Sequence, residues 1–589
     1  MQTGDFGNGV FDLIICGGGL AGLCLARQLA LSKNSFSVMV LDRLRRPLPA
    51  AAFKVGESTI EPGAYYYAKT LGLEDHLTKD QLEKLGLRYF YSSDSGDFAS
   101  RPEFGVSRYL PAPSYQLDRG TLENHLRDLV EVSQTILKEG VAVTDIRINP
   151  GSEPHEVIFV DGGETRSARC RWVVDALGRR RLLQRKFNLG KDSPGVFNSA
   201  WWRIRGRVPV SDFVPKTNQT WHGRVAEDRW QSTNHLMGKG YWVWLIPLAP
   251  DNTSVGIVAS EEFHPFSQYN TYEKSLEWLR NHEPLVADAL ADRELLDFKI
   301  LRNYSYSSKQ AFSRDRWTCV GEAAVFADPY YSVGSNMIAY ANGFTQRLME
   351  LETRGELTQE YVDHCNRFFL TLNDALTDSI HRGYPILFNG PVAALKTIWD
   401  YYIGWTTSDP QLYHEVWLDM KLAKAVSGLT SQAVFTQARM LELFEEWAER
   451  DCRYVFDFID YIADQPTLVG LHRNNLPPKI DDPRRILGNA REAVERIEEL
   501  AHVIFFLAVR DLLPGEMTRF ERSPWINTSA ISLHSDRWEA DGLFSPKTKP
   551  RYIGALEQEI CKLFVYRDTR ETVMPIFARG EGIGVRSVG

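Results

Sequence analysis

A chain of 589 residues is too long for one ordinary hydrophobic core, so two or more domains are expected. It is 43% hydrophobic and 24% charged, a globular composition. Its net charge of -8, spread without long like-charge runs, leaves no basic footprint for nucleic acid or an anionic membrane. The 7 cysteines are scattered and contain no Cys-x-x-Cys, which excludes a disulfide framework or a metal site and points to a reducing, cytoplasmic setting. Glycines 17, 18, 19 and 22 interrupt the apolar stretch from Val10 to Ala30, and Arg510 interrupts the one from His502 to Leu513. Neither a signal peptide nor a membrane span is expected.

In chain order, Val10 to Cys16 reads as a strand and Gly17-Gly18-Gly19-Leu20-Ala21-Gly22 as a tight turn. Leu23 to Leu31 has helical spacing, and Phe36 to Leu41 is a second strand ending in Asp42. This is the unit of a dinucleotide site. Gly17 permits the turn, Gly19 lets the backbone approach a pyrophosphate, and Gly22 lets helix and strand pack closely, with the helix N-terminus facing the phosphates and Leu20 and Ala21 of the turn among the cofactor candidates. Asp42 is placed to accept ribose hydroxyls. Three later segments favour FAD over NAD. Tyr115 to Leu129 carries Asp118-Arg119-Gly120 at a helix start. Val173 to Gly178 is a short buried strand containing Asp175. Trp317 to Gly334 is a strand, a small-residue turn with Gly321 and Glu322, and a loop containing Pro329. Glu322 is placed to bond ribityl hydroxyls. Arg119, Asp175, Gly321, Glu322 and Pro329 join the cofactor candidates.

A sheet interleaved over 194–300 is expected from strands at Trp201 to Ile204, Tyr241 to Pro247 and Thr253 to Ala259. Trp242 and Trp244 project from one face of the second of these and form a stiff aromatic wall, and Pro247 ends its ladder. After Phe344 the apolar spacing turns helical over Gln346 to Leu351, Thr358 to Leu376, Val392 to Ile403, Leu412 to Ala425, Ser431 to Ala448 and Asp482 to Leu512. The tail from Leu513 is irregular, and 580–589 is expected to lack order. The three FAD-favouring segments, in this order, resemble the flavin monooxygenase architecture, and the fold expected is α/β: an FAD-binding, Rossmann-like domain of that type over 1–390, with a mostly helical region over 391–589.

Three motifs carry a resemblance to the flavin-dependent halogenases, over about the first 350 residues. Trp242-Val243-Trp244-Leu245-Ile246-Pro247 is similar to the family's W-x-W-x-I-P. Phe326-Ala327-Asp328-Pro329-Tyr330-Tyr331-Ser332-Val333-Gly334 is similar to F-x-x-P-x-x-S-x-G. Gly56-Glu57-Ser58 is similar to the G-E-S segment after the second strand, which adds Glu57 and Ser58 to the cofactor candidates. The resemblance implies that FADH2 and O2 oxidise a bound chloride or bromide to hypohalous acid, which a lysine takes up and delivers to an electron-rich carbon. It makes that lysine Lys84, because Glu83-Lys84-Leu85-Gly86-Leu87-Arg88-Tyr89-Phe90 looks like the K-x-G-x-x-F of phenol-directed members. Lys79 and Lys54 are the competing candidates. Halide is expected at the backbone N–H groups of Val333 and Gly334. Trp242 and Trp244 are expected to keep substrate from the flavin.

Besides Tyr89, which takes the phenylalanine place of K-x-G-x-x-F, the chain departs from the family pattern in three places. The usual G-D-A-A turn reads Gly321-Glu322-Ala323-Ala324. Pro62 arrives one place late, behind Glu61. Tyr331 stands where tryptophan-directed members have glutamate, which disfavours free tryptophan and leaves phenols, pyrroles and related rings, free or tethered to a carrier protein. With no second nucleotide-binding turn, reduced flavin is expected from a separate reductase. Two alternatives stand beside this one: a flavin-dependent aromatic hydroxylase, and a non-catalytic FAD-fold binding protein.

Overall fold

The computed structural model describes residues 9–49, 54–93, 96–249, 251–521 and 524–577, and the expected loose end at 580–589 lies outside them. The apolar strand Val10–Cys16 is central to a parallel sheet, flanked by Val38–Asp42 on one side and by the end of Glu164–Asp175 on the other. Ile136–Glu139 lies beyond Val38–Asp42, and Trp317–Cys319 runs alongside Val173 to Asp175. The short strand expected at Val173 is therefore the buried end of a longer one. Its exposed first half pairs with His155–Asp161 and rises away from the core. The helix after the glycine turn spans Leu20–Leu31 and buries Leu23, Leu25 and Leu29.

The second sheet has eight strands, in the order Leu295–Leu301, Phe197–Arg205, Asn252–Ser260, Tyr241–Leu248, Thr233–Gly238, Leu87–Phe90, Glu103–Gly105 and Phe458–Asp460. It thus extends beyond 194–300 at both ends of the sequence, and its last strand comes from the C-terminal third. Pro247 does not end its strand, which continues to Leu248 opposite Asn252. It lies past Leu245, where pairing with Thr233–Gly238 stops, so its missing N–H costs little. Trp242 and Trp244 share one face of the sheet, as period-2 alternation requires, while Val243 and Leu245 pack in a separate cluster on the other.

C-terminal helices span Gly334–Thr353, Gln359–His381, Gly390–Ile403, Met420–Ala448 and Pro483–Leu512. The separate helices expected over 412–425 and 431–448 are corrected to the single helix Met420–Ala448. Gly428 does not break it, because Val426, Ala433 and Met440 on either side are buried and packing overrides a single poor propensity. One hydrophobic cluster runs from Trp242 and Trp244 through Trp399 and Trp447 to Phe505, so the helical region and the signature strand share a core.

Candidate active site

A cavity of about 710 Å³ opens above the carboxyl ends of the parallel strands, within the size range of cofactor sites. Gly17, Gly19, Leu20 and Ala21 line it. Gly17 has φ +114°, and a Cβ there would lie 2.2 Å from the Ala176 carbonyl oxygen, so only glycine makes this turn. A Cβ on Gly19 would meet no protein atom within 4 Å and would project into the cavity, which fits a backbone that must approach a ligand. Gly22 does not line the cavity. A Cβ there would sit 2.0 Å from the Gly17 oxygen and 3.1 Å from Ile15 Cγ2, so its role is helix–strand packing and not cofactor contact. Asp42 lines the cavity and pairs with the buried Arg127, which also donates to the Gly18 carbonyl (2.8 Å) and to Glu139 (2.7 Å). Arg127 was not legible as a site residue in the sequence, where it is one more cation on an amphipathic helix.

Lys54, Arg119, Arg179 and Arg180 line the same cavity and give it the cationic side that a pyrophosphate needs. Asp118 caps the helix that begins at Arg119, accepting the Thr121 N–H at 2.7 Å. Arg119 is fixed by the Val55 carbonyl and by Glu123, which also binds Lys54, and its buried Nε has no partner among the described residues. Gly321 has φ +57° and begins a short turn. Glu322 follows it, its carboxyl raised by burial against the opposing pull of Arg179, Arg119 and Lys54. Glu322 and Pro329 line the cavity, but Asp175 does not. Its carboxylate accepts the N–H groups of Leu177 (3.1 Å) and Leu183 (2.8 Å), so Asp175 braces the adjoining turn and is corrected from a cofactor contact to a structural group.

Trp242 and Trp244 form one wall of this cavity with ring centroids 5.6 Å apart. Trp244 owes its position to Gly256 directly across the ladder, where a Cβ would fall 2.2 Å from the indole. Its Nε1 donates to Ser254 Oγ (3.1 Å), which donates to Glu57 (2.6 Å), which accepts Arg203 (2.7 Å), itself paired with Asp297. Glu57 lines the cavity, but both its oxygens are used inside the protein. It ties the G-E-S loop to the signature strand from the wall of the cavity. Trp242 Nε1 donates to Tyr384 Oη (2.9 Å), which donates to Asp328 (2.9 Å). Asp328 also accepts Tyr304 Oη (2.5 Å), and burial raises its carboxyl to about 6.

A second cavity, of about 770 Å³, lies behind the first between helices Gln359–His381 and Met420–Ala448. Val333 and Met337 line both. Lys84 lines the second and Ser58 the first, and the two meet at the partition. Lys84 Nζ donates to Ser58 Oγ (2.9 Å) and to the Thr59 carbonyl (2.7 Å). Lys84 is 2% exposed, and burial lowers its ammonium to about 7, with Glu61 pulling the other way. The competing lysines stand elsewhere. Lys79 is 70% exposed on a surface turn of helix, paired with Asp75, and Lys54 lines the first cavity with Arg119, Arg179 and Arg180. Tyr331 lines the second cavity, its hydroxyl donating to Asp400 at 2.6 Å. Ser332, at φ +57°, turns the chain so that helix Gly334–Thr353 starts against both cavities, and no side chain caps Val333. Its first N–H groups are therefore free to face an anion. Glu61 and Asp409, for which the motifs suggest no role, are buried and line the second cavity.

The model of the FAD binding domain family matches residues 11–354. The chain is 28% identical over 357 residues to the flavin-dependent halogenase chlA of Dictyostelium discoideum, covering 56% of this chain and 58% of that protein. It is 26% identical to the 1H-pyrrole-2-carbonyl-[peptidyl-carrier protein] chlorinase of Pseudomonas fluorescens, covering 55% of this chain and 72% of the relative. Among solved structures, halogenase PltM superposes with a TM-score of 0.60 at 15% identity over 84% of this chain and 97% of that one. CmlS, a flavin-dependent halogenase, gives 0.51 at 19% over 64% of each. These likenesses extend the flavin monooxygenase-type fold to most of the chain. The glycine turn, the cationic wall and the aromatic wall of the first cavity fit FAD, and with the match over residues 11–354 they place the chain in the FAD-binding domain family.

Proposed function

We propose that the protein is an FADH2-dependent halogenase that installs chloride or bromide on an electron-rich aromatic ring. The supporting observation is Lys84, buried at the partition between the cavity lined by the glycine turn and a second cavity roomy enough for an aromatic substrate. Bound FADH2 supplies the electrons that let O2 oxidise halide to hypohalous acid. The residues of the chain do the rest. The uncapped start of helix Gly334–Thr353 holds halide at Val333 and Gly334, beside the flavin cavity. The Trp242–Trp244 wall keeps the ring of the substrate from the flavin. Lys84 receives hypohalous acid past Ser58, holds it by hydrogen bonding or as a haloamine, and presents halogen to a ring in the second cavity. An ammonium lowered to about 7 supplies both forms near neutral pH.

Tyr331, on the wall of the second cavity, contacts the substrate, a phenol or pyrrole-like ring. The ring is free or held on a carrier protein, as the name of the Pseudomonas fluorescens relative describes for that enzyme. A separate reductase supplies FADH2. No helix among the described residues is long and apolar enough to cross a membrane, and the 7 buried free cysteines suit a reducing cytoplasm.

The test supplies FADH2 from an added reductase, with chloride or bromide, to phenols, pyrroles and carrier-bound analogues, and reads product mass. Wild-type protein is expected to add halogen, while Lys84→Ala still consumes O2 and reoxidises FADH2 without product. Halide-independent addition of oxygen would move the assignment to a hydroxylase. Protein that purifies without flavin and cannot be loaded would favour a binding role.

A further inference from the structure

The second cavity holds a carboxyl that the halogenase reading does not use. Glu61 is the residue that displaces the expected proline by one place, and it opens the short helix Glu61–Tyr65. It is 6% exposed, lines the cavity with Lys84 and, among the described residues, forms no ion pair. Burial raises its carboxyl above the ordinary range, against the opposing pull of its own backbone N–H, Lys84 and Ser114. The groups that face it are Lys84, Asp409, Tyr401, Tyr413 and Tyr461. Asp409 is also buried and raised, with Ser408 as its hydroxyl partner at 3.3 Å. The Asn336 side chain, 9% exposed on the same cavity wall, has an Oδ1 with no hydrogen-bond partner among the described residues. Polar groups this buried are ordinarily satisfied, so an unpartnered amide oxygen beside two buried carboxyls on one cavity wall marks a place that a polar ligand would complete.

Resting on the halogenase reading, we propose that Glu61 is the proton acceptor for the hydroxyl of the aromatic substrate, so that this cavity activates phenols in preference to rings without an ionisable hydroxyl. A carboxylate with a raised pKa is a better base than a surface one and is closer to matching a phenol. The hydroxyl proton passes to Glu61, and the oxygen electron pair is pushed into the ring. A ring carbon forms the carbon–halogen bond as the halogen–oxygen bond of hypohalous acid breaks, and hydroxide leaves as water with a proton from the Lys84 ammonium. The resulting ketone loses its C–H proton to the Lys84 amine and regains its O–H proton from Glu61. Both side chains return to their starting states, and hypohalous acid is the only oxidant consumed.

The experiment compares a reactive phenol with its methyl ether in wild type, Glu61→Gln and Glu61→Asp, from pH 6 to 9 in steps. FAD content and FADH2 reoxidation are read in parallel to show that the fold and flavin cavity are intact. Glu61→Gln is expected to slow phenol halogenation by about 100-fold near neutral pH. It should recover as rising pH forms phenolate in solution, leave the slow ether reaction unchanged, and be partly rescued as Glu61→Asp. Equal losses for phenol and ether, or no loss at any pH, would overturn the assignment. A second measurement is independent of turnover: the absorbance of a bound nitrophenol at a pH below its own pKa. Wild type should shift it towards phenolate and Glu61→Gln should not, and identical spectra would overturn the role of Glu61. If wild type shifts the spectrum yet halogenates nothing, the halogenase reading fails and the proton acceptor stands.

Discussion

At the scale of single residues, Lys84 is set apart by burial and not by its neighbours in sequence. Its ammonium titrates near 7 in the folded protein against 10.5 when solvated. Between those values the unfolded chain binds one more proton than the native state, so this group makes stability rise with pH across that window and contributes no slope below it. Lys84→Met should flatten the rise, seen as denaturant midpoints at pH 7 and 9 that differ less than in wild type. Lys79→Ala, exposed and paired only with Asp75, should leave stability within about 0.5 kcal/mol and halogenation unchanged. Lys54→Ala should instead weaken FAD, since Lys54 lies in the cationic wall, and a flavin titration checks it.

At the scale of elements, the glycine turn and the signature strand carry separable tests. Because a Cβ at Gly19 meets no protein atom, Gly19→Val should fold with wild-type helicity and purify colourless, the new side chain standing where the pyrophosphate belongs. Retention of flavin at wild-type affinity would show the cofactor to be elsewhere. In the signature strand, Gly256→Ala places a methyl 2.2 Å from the Trp244 indole. The indole must shift and strain its bond to Ser254, so a loss of about 1–3 kcal/mol is expected, with a change in tryptophan fluorescence that a remote Gly428→Ala does not give.

At the scale of the whole molecule, the strand Phe458–Asp460 and the cluster joining Trp242 to Trp399, Trp447 and Phe505 bind the C-terminal third to the second sheet. The second cavity has Lys84 and Tyr331 on one side and helices Gln359–His381 and Met420–Ala448 on the other, so neither part encloses it alone. A chain ending at residue 390 should expose the Trp242–Trp244 face of the core. It should bind a hydrophobic dye and aggregate on size-exclusion chromatography, whereas a chain ending at 577 should behave as the full protein does.

The nucleotide unit was legible in the sequence because its requirements are local. Gly17, Gly19, Gly22 and Asp42 sit at fixed offsets dictated by one turn and one helix start, and residues 10–16 form the expected strand to the residue. The faces of Trp242 and Trp244 were legible too, since strand alternation is a property of the backbone. Lys84 could be proposed only by resemblance, since by composition it is one lysine among many. Its burial arises when the segment after Glu83 folds against Ser58 and Thr59. The bracing roles of Asp175 and Glu57 follow from hydrogen bonds to Leu183, Ser254 and Arg203 that no sequence spacing announces. The second cavity was decided by tertiary structure alone. Its walls come from residues as far apart as Ile60 and Tyr461, and burial, charge pairing and enclosure depend on which distant side chains the fold brings together.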